Sequence, residues 1–116
     1  MKYVALIRLD PTQAPDGPSD QLMTDMFALL DEMKASGAHV LDAGLHPIEE
    51  AVTIRQRRGR QKIVDGPFTE AKEVIGGFLI LEAASKEEAA SWASRFLAVH
   101  GEEWDIEIEV RQLANG

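Results

Sequence analysis

The segment Asp65-Gly66-Pro67-Phe68-Thr69-Glu70-Ala71-Lys72-Glu73 sets three carboxylates and one amine within nine residues. A loop stiffened by glycine and proline can hold such groups toward a pocket, where they would work as acids and bases. On that reading Asp65 and Lys72 are the catalytic candidates, and Glu70 and Glu73 line a ligand. Asp65 would serve as the base if desolvation raised its pKa toward neutrality. The same residues also spell a turn. Asp65 can accept amide hydrogen bonds, chiefly from Phe68 or Thr69, because Pro67 has no N–H to give. Phe68 would then anchor the turn in the core. Those bonds lower a carboxylate pKa, whereas a base needs it raised, so the two readings predict opposite shifts for one residue. Both stay open at this point.

The three histidines are His39, His46 and His100. Only His46 falls in a loop near a glycine, Gly44-Leu45-His46-Pro47, and it joins the catalytic candidates. His100 falls at the end of a helical stretch, where the helix dipole favours a cation. No two histidines have the spacing of a metal-binding pair, so no metal is expected. The chain has no cysteine, which excludes disulfides, thiolate nucleophiles and cysteine-ligated metals. It carries neither a glycine-rich phosphate loop nor a nucleophile elbow, and no cofactor is expected. Arg55, Arg57, Arg58, Arg60 and Lys62 hold five of the 12 basic residues. Arg55 is the member placed with the ligand-binding set. As a group they make an anion-binding patch, or they guard a hairpin against edge-to-edge pairing. No aromatic residue interleaves them for base stacking. A net charge of -8 repels polyanions, so nucleic acid is not an expected partner.

Positioning these groups falls to a chain of 116 residues with 45% apolar content, enough for one domain spanning residues 1–116. Tyr3–Ile7 is continuously apolar and reads as a strand covered on both faces. Asp10-Pro11 and Asp16-Gly17-Pro18 break it. Ser19 is an N-cap, and Leu22, Met26, Leu29, Leu30 and Met33 follow on one helical face until Gly37 stops the helix. Val40-Leu41 opens a second strand. Val52–Arg55 and Lys62–Val64 form a hairpin around Arg57-Arg58-Gly59-Arg60. Val74–Leu81 is the most apolar run, and its Gly76-Gly77 pair signals a bulge or a close backbone approach. Ser85-Lys86-Glu87-Glu88 fits a capping box, with the Glu88 carboxylate reaching back to the Ser85 amide. Ala89, Trp92, Ala93, Phe96 and Leu97 mark a second helix, ended by Gly101. Ile106, Ile108 and Val110 alternate with charged residues in a last strand. This order predicts an α+β, ferredoxin-like βαββαβ plan with an inserted strand hairpin.

Asp65–Glu73 resembles the DGPFxExKE signature of the DGPF branch of the YCII-related proteins. Gly76-Gly77-Phe78 is similar to that family's G-G-[YF], and Glu109-Val110-Arg111 to its closing E-V-R-P, with Gln112 in place of the proline. The resemblance implies a dimeric α+β barrel and a function not yet characterised. It also implies, for some members, a regulatory link to extracytoplasmic-function sigma factors. More distant relatives carry a proposed His–Asp pair, whose histidine opens the first helix. This chain has Pro18-Ser19-Asp20-Gln21 there, so that pair does not transfer.

Two helices can cover only one face of a sheet, yet Tyr3–Ile7 and Val74–Leu81 are apolar on both. A homodimer burying more than about 2,000 Å² is therefore expected. No apolar run reaches the ~18 residues of a membrane span. The opening MKYVALIRLD is too short an apolar stretch for a signal sequence, so a cytoplasmic protein is expected. Two functions fit these readings. One is a small-molecule protein that binds, or converts by cofactor-free acid–base chemistry, a ligand in a cleft at the dimer interface. The other is a non-enzymatic module that meets a protein partner.

Overall fold

A computed structural model of the chain describes residues 1–65 and 73–115. Six strands and two helices follow in the order β1 (Lys2–Leu9), α1 (Asp20–Ala35), β2 (His39–Gly44), β3 (Val52–Arg57), β4 (Arg60–Asp65), β5 (Val74–Glu82), α2 (Lys86–Ala98) and β6 (Ile106–Gln112). A single 3-10 turn, Ile48–Glu50, lies between β2 and β3. Four strands form an antiparallel sheet in the order β2-β5-β1-β6, and β3 pairs with β4 in a separate two-stranded sheet. Leaving out that hairpin, the order is compatible with the ferredoxin-like plan. The expected insertion is thus present as an independent unit. No helix among the described residues is long and apolar enough to cross a membrane.

Alternation along the strands sorts the core. Tyr3, Ala5 and Ile7 of β1 and Leu79 and Leu81 of β5 are buried against Leu29 and Met33 of α1 and Ala89 and Phe96 of α2. Both helices therefore cover one face. β6 adds Ile106, Ile108 and Val110 to that side, opposite Leu9, Ile7 and Ala5 of β1. The intervening residues make the other face. Val4 sits opposite Ile80 and Leu6 opposite Phe78, while Leu41 and Ala43 of β2 flank the same two β5 positions. Neither helix reaches this surface, and its β6 margin carries Glu107, Glu109 and Arg111. Arg8 bridges the margin, its Nη2 donating to Glu109 Oε1 at 2.6 Å.

Local signals set the ends of the helices. Ser19 Oγ accepts from the Leu22 amide at the start of α1, and Gly37 leaves α1 at φ 82°. At the start of α2, Ser85 Oγ accepts from the Glu88 amide. The Glu88 carboxylate reaches back one residue further than the capping-box reading has it, accepting from the Ala84 amide at 2.9 Å. Ser85 itself is extended, at φ -154° and ψ 165°.

The β3–β4 hairpin stands away from the main sheet, and every residue of β3 is exposed. Its turn uses two left-handed residues, Arg58 at φ 52° and Gly59 at φ 79°, as a two-residue type I′ connection requires. One face presents Val52, Ile54 and Ile63, and the other presents Arg55, Arg57, Arg60 and Lys62. Ile54 and Ile63 lie opposite one another at 60% and 65% exposure. The Cα radius of gyration is 15.9 Å, above the ~13 Å of a compact chain of this length.

Candidate functional site

The irregular start of β5 opens a cleft at one end of the sheet. The β1–β5 register shifts between Ile7 and Arg8, so that Gly77 faces Ile7 while Ile75 faces Arg8, and Gly76 is the extra residue. A side chain at Gly77 would put its Cβ 2.8 Å from the Ala43 carbonyl oxygen. A Cβ at Gly76 would meet the tip of Leu9 at 2.7 Å. Glycine at both places lets β5 bulge against β2 and leaves space between the strand ends and the helices. The Gly76-Gly77 reading from sequence is thus correct in both its forms, a bulge and a close approach.

Two adjacent cavities occupy that space, sharing Leu9, Leu45, Gly76 and Trp104 in their walls. The inner one holds about 410 Å³ between the sheet and the two helices. Ile7, Leu22, Met26, Leu30 and Phe96 make it largely apolar, and Asp42 and His100 supply its titratable side chains. The outer one holds about 540 Å³ and is closed by the 10–15 loop and by the chain from Leu45 to Ala51. His46, Glu49 and Glu50 line it.

His46 donates from Nδ1 to Glu50 Oε1 at 3.3 Å, with 88% of its side chain exposed. The 3-10 turn that carries Glu50 makes this contact possible, since it folds residues 46 and 50 onto one side. An imidazole so open to water is suited to meeting a ligand at a rim.

A second pair lies deeper. His39 donates from Nε2 to Asp42 Oδ2 at 2.6 Å, and the His39 side chain is only 13% exposed. Three residues apart on a regular strand, these groups would point to opposite faces. The β2–β5 register shifts between His39 and Leu41, so His39 faces Leu81 and Asp42 faces Leu79. Leu79 and Leu81 share the helix side, and the pair shares it too. His100 was legible only as a helix-end residue. In the fold its Nδ1 lies 2.8 Å from the Phe96 carbonyl oxygen, and its ring packs tilted on Phe96 and edge-on to Trp104. Asp42 and Trp104 gave no sequence signal of their own. The bulge that turns Asp42 inward comes from Val40, which nothing in the local composition marks.

The other sequence candidates fall elsewhere. Asp65 closes β4, paired with Val52. Gly66–Lys72, and with it Phe68, Glu70 and Lys72, lies outside the described residues. Glu73 lines a shallow surface hollow with Arg8, Asp10, Asp105 and Glu107. Arg55 sits on the exposed hairpin opposite Lys62 and lines neither cavity. Of His46, Arg55 and Glu73, His46 alone reaches the cleft. No cluster of three or more metal-ligating side chains occurs among the described residues.

The pattern of the YCII-related domain matches residues 1–104. An uncharacterised protein of Rhizobium meliloti (strain 1021), R00369, is 34% identical over 74 residues. That stretch is 64% of this chain and spans 60% of the relative's length.

Proposed function

We propose, for a chain that belongs to the YCII-related domain family, that it binds a small, largely apolar molecule in the cleft at the Gly76-Gly77 bulge. The observation that supports this most is the pairing of two adjoining cavities with polar groups confined to a few places: His46, Glu49 and Glu50 outside, Asp42 and His100 inside. Apolar walls with few, fixed polar contacts are the usual make-up of a ligand site. The openness of His46 favours binding over acid–base turnover. Asp65–Glu73 carries the DGPFxExKE pattern, and we assign the chain to that branch. Asp65 then ends β4, Glu70 and Lys72 follow in the sequence between β4 and β5, and the first residues of β5 border the cleft. Acid–base chemistry by Asp65 and Lys72 is the catalytic form of the same proposal.

The test is a screen of small apolar and amphipathic molecules followed by backbone amide shifts. Binders should move Gly44, Gly76 and Gly77 together with the Trp104 indole. Shifts confined to other surfaces, or no binder across the screen, would overturn the reading.

We further propose that the protein is a homodimer whose subunits meet through the helix-free face. Val4, Leu6, Phe78 and Ile80 are half-buried there although no helix lies over them, and Leu41 beside them is 49% exposed. A contiguous apolar sheet face of this kind calls for a covering surface. The alternative function, a module that meets a protein partner without a ligand, draws on the amphipathic β3–β4 hairpin. It gains if removing the hairpin's charges changes partner capture while the cleft stays empty in the screen.

A further inference from the structure

Resting on the ligand-binding reading above, we infer that His100 selects the ligand, and that the inner cavity takes a small, neutral, largely apolar molecule carrying one N–H or O–H donor. The last carbonyls of α2 have no amide partner within the helix. The His100 amide turns to the Leu97 carbonyl, and the His100 ring takes up the Phe96 carbonyl through Nδ1 at 2.8 Å. A carbonyl oxygen only accepts, so Nδ1 carries the proton. In the neutral ring Nε2 is then left as an acceptor. Phe96 at 5.3 Å and Trp104 at 5.8 Å between ring centroids hold the ring in place. The helix end thus fixes both the tautomer and the orientation of a side chain that lines the cavity.

The rest of the wall narrows the class. Asp42 on β2 is the other titratable side chain there, and it already holds His39 Nε2 at 2.6 Å. Its negative charge disfavours an anion in a space otherwise walled by Ile7, Leu22, Leu30 and Phe96. A cation would have to leave water for that apolar lining, at a large desolvation penalty. A neutral donor meets Nε2 without either conflict.

Indole and 1-methylindole separate this from the parent reading, because they differ by one methyl group and one donor. Each is titrated into the intact protein while the backbone amides of Gly44, Gly76 and Gly77 are followed by NMR. Indole should bind about tenfold more tightly, the worth of one buried hydrogen bond, and His100→Phe should bring the two to parity. In the unsubstituted protein, indole but not 1-methylindole should also move the His100 Nε2 nitrogen resonance, a readout that needs no variant. Parity of the two probes with shifts at Gly76 and Gly77 would overturn the role of His100 and leave the cleft as a ligand site. Absence of any shift with either probe would overturn this inference, while the wider screen decides the parent reading.

Discussion

Two neighbouring glycines show how a single atom decides what this chain tolerates. At Gly77 an added methyl would strike the backbone oxygen of Ala43, which is held in the β2–β5 ladder. At Gly76 it would strike only the end of the Leu9 side chain, which can rotate away. Gly77→Ala should therefore destabilise by about 1–3 kcal/mol in urea unfolding, and Gly76→Ala by clearly less. Equal losses would show that the strand, not the contact, sets the penalty. These glycines were readable from sequence because a glycine pair weakens an apolar strand unless a bulge or a neighbouring backbone needs the room. His39 and Asp42 were not, since three-residue spacing on a strand argues against a shared face until the irregularity at Val40 is known. His46 was readable by its loop position, but its partner Glu50 was not, because the 3-10 turn that joins them has no strong local signal.

The elements themselves were largely legible, since caps, stops and periodicity act locally. Ser19, Gly37 and Ser85 each do what their residue types predict. The type I′ turn at Arg58-Gly59 is less well matched, because arginine at positive φ is strained where asparagine is at ease. Arg58→Asn should raise stability by a few tenths of a kcal/mol, read as a shift of the urea midpoint. The two helices are also tied to each other. The Arg95 guanidinium of α2 donates to the Glu32 carboxylate of α1. That bond holds the Glu32 carboxyl below the usual carboxylate range. A group whose folded pKa is depressed stabilises the fold above its unfolded pKa and ceases to do so as pH falls through the folded value. Wild type and Glu32→Gln should thus differ near neutrality and converge below about pH 4 in urea unfolding. The pair is exposed, so the difference should shrink in added salt. A gap that persists unchanged at low pH would point to packing by the side-chain stem instead.

At the scale of the molecule, the unbroken apolar runs Tyr3–Ile7 and Val74–Leu81 foretold a sheet with a second apolar face. What covers that face was beyond sequence, because composition and periodicity do not distinguish a second copy from a loop such as residues 10–18. Sedimentation should show a dimer at micromolar concentration, and Ile80→Glu should shift it to monomer with its helical circular dichroism retained. A monomer in the unsubstituted protein would overturn the dimer. The strand order carries one more consequence, and it concerns time. β1 is made before β2 to β6, yet its neighbours are β5 and β6, and Lys2 pairs with Glu82. At ribosomal rates of roughly 5–20 residues per second, an apolar strand waits roughly 4–16 s before its first partner exists. During that wait Tyr3–Ile7 is available to any other exposed strand, and the half-made chain depends on whatever shelters it. A nascent chain stalled before β5 should therefore be captured by chaperones through β1, and one stalled after β6 should not.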